Sequence, residues 1–74
     1  MKRALPAGEY FVMLTIAGNT SDGTSGTSHG RNTYTLAEPA TERALFEQAL
    51  KDVLGKSHIV TEPIIMLWHV SVCG

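Results

Sequence analysis

A chain of 74 residues holds material for one domain only, and folding at this size buries roughly 60% of the surface that the unfolded chain exposes. With 43% hydrophobic and 18% charged residues the composition supports a single core and excludes an intrinsically disordered polymer. Six Lys plus Arg against seven Asp plus Glu leave a formal charge of -1, and the cations Lys2, Arg3, Arg31, Arg43, Lys51 and Lys56 are scattered. That balance argues against a general DNA or RNA binder, whose affinity comes from clustered cations that neutralise phosphates.

Met1 to Gly8 carries two cations, a proline and a glycine without periodicity, and is expected to be a flexible amino-terminal tail, leaving residues 9–74 as a single domain. Met1-Lys2-Arg3 resembles the start of a signal peptide, but Pro6, Gly8 and Glu9 interrupt the apolar run of about 7–15 residues that such a peptide needs. Glu9 to Ala17 then reads as a strand: Tyr10, Phe11, Val12, Met13, Leu14, Thr15 and Ile16 are apolar, aromatic or β-branched, and both faces are apolar. A strand greasy on both faces belongs in the middle of a sheet.

Gly18 to Gly30 is almost entirely Gly, Ser, Thr, Asn and Asp, which predicts a long mobile loop. Arg31 to Leu36 alternates, with Tyr34 and Leu36 on one face, and closes a hairpin with the first strand. A helix is expected to open between Glu38 and Thr41. Its apolar stripe is Leu45, Phe46, Ala49, Leu50, Val53 and Leu54, Glu47 and Lys51 form an i,i+4 pair, and Gly55 is expected to end it as a left-handed cap. After a linker with a candidate short strand at His58 to Thr61, Ile64 to Cys73 forms the last strand. Strict alternation sends Ile64, Met66, Trp68, Val70 and Val72 to one face, and Ile65, Leu67, His69, Ser71 and Cys73 to the other.

A hairpin pairs antiparallel and a crossover between parallel strands is right-handed, so the elements assemble as an α+β fold of ββαβ order. The expected sheet has three strands, mainly antiparallel, in spatial order 2-1-3, with one helix packed on one face. Phe11, Met13, Ile65 and Leu67 then lie on the uncovered face, and a contiguous apolar patch of that kind is a contact surface more often than an accident. The competing explanations are that the tail, with Leu5 and Pro6, folds back over it, or that two copies pack there as a homodimer.

Chemistry-bearing patterns are weak. Gly18 and Gly23 have P-loop spacing, but Thr24-Ser25 stands where Lys-Ser/Thr is required and a strand follows. Ser21, Asp22, Ser28 and His29 include the residue types of a hydrolase triad without a rigid support, and read as polar surface groups, with Asp22 and His29 available to a partner on which the loop orders. His69 and Cys73 share a strand face but stand ~13 Å apart, too far for a nucleophile and its base. His29, His58, His69 and Cys73 lack metal-site spacing, so neither a metal nor a cofactor is expected. Asn19-Thr20-Ser21 matches a glycosylation acceptor, expected to be without consequence because no secretory signal is expected, and a lone cysteine excludes an internal disulfide. The longest apolar run, Ile64 to Val70, is far short of the roughly 20 residues of a membrane helix, and the expected compartment is the cytoplasm.

These readings converge on a non-enzymatic protein-binding module whose partner-binding residues are Phe11, Met13, Ile65, Leu67, Asp22 and His29. In size and compactness the chain resembles small phage-encoded inhibitors of bacterial defence systems, anti-CRISPR proteins among them. No motif carries that resemblance, which implies action by steric occupation of a larger host complex. The alternative class is a homo-oligomeric structural or regulatory subunit assembled through the outer sheet face.

Overall fold

A computed structural model describes residues 2–73. In chain order the elements are β1 (Ala4–Leu5), β2 (Gly8–Asn19), β3 (Ser25–Leu36), β4 (Ala40–Thr41), α1 (Glu42–Lys56) and β5 (Ile64–Val72). The architecture is α+β: an antiparallel sheet of order β3-β2-β5 with one helix on one face, and a small two-stranded sheet of β1 and β4 beside it. β2 lies in the centre with β3 and β5 antiparallel on either side, as the order of hairpin, helix and returning strand requires.

The hairpin sets the shape. Twelve residues at about 3.4 Å each make β2 and β3 as long as the molecule, which measures 41 × 22 × 17 Å. A helix of 15 residues reaches only about 22 Å, so α1 covers roughly half of the hairpin. The connector after α1 closes the far end: Ile59 bridges to Thr20, and the Val60 amide donates to the Asn19 carbonyl at 2.9 Å.

The core lies between α1 and the alternate residues Tyr10, Val12, Leu14 and Ile16 of β2, met by Leu45, Ala49 and Val53 from the helix stripe. Complete burial of Val12, Leu14 or Ile16 contributes roughly 1.5–3 kcal/mol each. Thr41 caps the helix by accepting from the Ala44 amide at 3.2 Å.

Four features depart from the sequence reading. Ala4–Leu5 is a strand and Leu5 is buried in the core, where a loose tail is expected. The Arg3 carbonyl accepts from the Glu42 amide at 2.7 Å, meeting one of the donors that a helix start leaves unpaired, and the Arg3 guanidinium pairs with the Glu42 carboxylate at 3.0 Å. Second, the long mobile loop does not exist: β3 begins at Ser25, and Gly18, Gly26 and Gly30 sit within strands. Two of those glycines make room, because a Cβ at Gly30 would stand 2.5 Å from Val53 Cγ2 and one at Gly18 would stand 2.6 Å from Ile59 Cγ2. Third, Gly55 is helical without a left-handed φ, and α1 ends at Lys56 with Ser57 as an extended cap. The ion pair along the helix joins Arg43 to Glu47 at 3.2 Å rather than Glu47 to Lys51.

Candidate functional site

Residues 2–8 of the expected tail do not cover the outer sheet face, and Met1 lies outside the described residues. Leu5 packs on the helix side with Tyr10 and Leu45, and Pro6 is held there by the Tyr10 hydroxyl, which donates to its carbonyl at 2.6 Å. Among the described residues no strand or helix lies over the face formed by Phe11, Met13 and Thr15. On that face β3 contributes Thr33, Arg31 and His29, and β5 contributes Ser71, His69 and Leu67, each opposite its β2 partner.

Four large apolar side chains, Phe11, Met13, Ile65 and Leu67, are expected to face outward here, and the structure redistributes them. Phe11 and Met13 are half-buried, Phe11 between Thr33 and Ser71 and Met13 between Arg31 and His69. A β-bulge in β5 then breaks the alternation: Leu67 faces Thr15 while Ile65 faces Ile16, so Met66 is the extra residue between them. Ile65 therefore turns toward the helix side instead of the outer face, and Ile64 takes the outer position opposite Ala17. Met66, expected against the helix, is pushed into the open. The exposed surface is thus concentrated on β5, where Ile64, Ile65, Met66, Leu67 and Val72 are 65%, 40%, 62%, 46% and 74% exposed.

Two causes leave β5 open. The helix leans over β2 and β3, touching β5 chiefly through Phe46, whose ring stands edge-on to Trp68 at 5.0 Å, and through Glu42, which accepts from the Trp68 indole at 2.7 Å. β5 also pairs on one side only, and it carries no Asp, Glu, Lys or Arg.

Asp22 and His29, expected as partner groups on a loop, are placed apart. Asp22 builds the β2–β3 turn: one carboxylate oxygen accepts from the Thr20 and Thr24 hydroxyls and from the Thr24 amide at 3.0 Å, while Gly23 adopts φ +86°. Those bonds, the Thr20 hydroxyl foremost, hold its carboxyl down at about 2. His29 lies in β3 on the outer face, and its Nδ1 shares a 3.0 Å hydrogen bond with the Thr15 hydroxyl. With Met13, Arg31 and Leu67 they line a shallow depression of about 460 Å³.

Ser28 stands opposite Ile16 on the helix side, whereas His29 points to the other face, so the triad residue types do not converge. Among the described residues no three His, Cys, Asp or Glu side chains gather into a metal site, and no helix is long and apolar enough to cross a membrane. On the far side of β3, Tyr34 donates to the Asp52 carboxylate, and burial together with that bond pushes its phenol up to about 12. No protein-family model matches the chain, and no curated protein or solved structure resembles it significantly.

Proposed function

We propose that this protein is a non-catalytic binding module that engages a polypeptide partner through β5 and the adjoining outer face. The reading rests on one observation: an uncharged edge strand exposes five large apolar side chains beside an uncovered sheet face. Phe11, Met13 and Leu67 supply the apolar strip of that surface, with His29 and Arg31 as polar groups at its margin. Ile65 contributes from the helix side of the same strand, and Asp22 acts only through the turn it shapes.

Binding acts by occupation, since no nucleophile, base and orienting group come together at this surface. An inhibitor of the phage type is the form of this proposal in which the occupied surface belongs to a larger host complex. The test is affinity capture with the native chain and with Leu67→Asp, in parallel, from an extract of the source organism. A polypeptide retained by the native chain and lost with the variant is the expected result. If everything the native chain retains is retained equally by the variant, β5 is not the binding surface.

A further inference from the structure

We propose that the free edge of β5 pairs antiparallel with β5 of a second copy, joining two three-stranded sheets into one of six strands. The inference rests on the reading of β5 as a binding surface and names its occupant.

Backbone geometry identifies the available groups. The Cys73 amide donates to the Glu9 carbonyl at 2.9 Å, and the register Tyr10↔Val72, Phe11↔Ser71, Val12↔Val70 continues unbroken to Thr15↔Leu67. In an antiparallel ladder hydrogen-bonded and non-hydrogen-bonded pairs alternate, so Ser71, His69 and Leu67 bond to β2. Trp68, Val70 and Val72 therefore present their amides and carbonyls to the free edge. An edge strand of this kind is a template for another strand unless charge, proline or a covering element guards it. β5 has no charge and no proline, and an open crevice of about 330 Å³ runs beside Val70 and Val72, bounded across by Arg3, Leu5 and Pro6.

A second copy fits better than an unrelated strand for two reasons. A twofold contact sets the same patch against itself, so it must be self-complementary, and an uncharged strand with apolar residues at both ends meets that requirement without opposing like charges. The exposed apolar side chains Met66, Leu67 and Val72, 62%, 46% and 74% exposed, also lie within the stretch of β5 that such a pairing covers. The register that satisfies both is centred on His69: Trp68 then bonds with Val70 of the second copy, and Met66 stands against Val72 of the second copy. Two of the most exposed apolar side chains of the strand are covered by each other. With the twofold axis normal to the sheet, both helices lie on one side and the outer face becomes continuous across the seam.

The experiment is light scattering and sedimentation equilibrium of the full chain from micromolar to near-millimolar concentration, with Met66→Lys and Val70→Pro beside the native protein. The native chain should be dimeric, and each variant should raise the dissociation constant at least tenfold while keeping the native far-UV circular dichroism. Val70→Pro removes an edge-facing amide that β2 does not use, and Met66→Lys places a charge on an exposed site, so it decides the matter if the proline variant fails to fold. A native chain that stays monomeric throughout overturns the pairing, as does a dimer that both folded variants leave intact. A monomer that still loses its captured polypeptide on Leu67→Asp sinks the second copy and keeps the binding module; a dimer immune to every β5 substitution, together with capture that Leu67→Asp leaves unchanged, sinks both.

Discussion

The two edge strands flank the same central strand and are built in opposite ways. β3 is made of Ser, Thr, Gly, Asn, His and Arg except for Tyr34 and Leu36, and α1 descends on it so closely that Gly30 has no room for a side chain. β5 is apolar at every position except His69 and Ser71, and the helix reaches it mainly at Trp68. Protection of a sheet edge is therefore local, arising on one side from polar composition and a leaning helix and withheld on the other. The difference teaches where apolar surface is left uncovered: it lies along one edge rather than over the sheet as a whole.

The largest test of this contrast is Gly30→Val. Overpacking against Val53 should cost about 2–3 kcal/mol in urea unfolding, and an unchanged midpoint would mean that the helix lifts from β3 without penalty. A smaller effect is expected from Tyr34→Phe, which removes the bond to Asp52 that ties β3 to α1 and should lower stability by about 0.5–1.5 kcal/mol. The same bond predicts an alkaline limit. Because the folded state keeps the phenol protonated up to about 12, against an ordinary value of 10.0, the contribution of Tyr34 is complete below 10 and lost as pH rises through about 12. Ultraviolet titration of the tyrosinate band reads this directly, and ionisation of Tyr34 near 10 would remove the tie. The smallest effect concerns the hairpin tip. The Asp22 carboxylate steadies the turn above its ordinary value of 3.8, and that contribution fades as pH falls through about 2. Carboxyl titration by NMR should show the low midpoint in the native chain and a return toward the ordinary value in Thr20→Ala.

Much of the fold is legible in the residues. The run Tyr10 to Ile16 places a central strand, the stripe through Leu45, Ala49 and Val53 places the helix, and topology rules then order the sheet. The first half of β3 is hidden because Gly26, Ser28 and Gly30 look like loop chemistry, whereas the smallness of Gly30 answers the approach of the helix. Thr27, Thr33 and Thr35, on the outer face, are the β-favouring signal that outweighs them. Of the candidate surface, Phe11, Met13 and Leu67 are placed on the outer face by alternation alone. Ile65 is misplaced because Ile64-Ile65-Met66-Leu67 is apolar throughout, so no change of pattern marks the bulge. Leu5 is missed because a two-residue strand has no period to read.

Trp68 is the sole tryptophan of the chain, and it sits on β5 between the ring of Phe46 and the carboxylate of Glu42. Its intrinsic fluorescence is therefore a built-in optical gauge of this strand. Any event that reaches the edge of β5, or that loosens the Arg3 anchor on Glu42, shifts the emission of a single chromophore with no label attached.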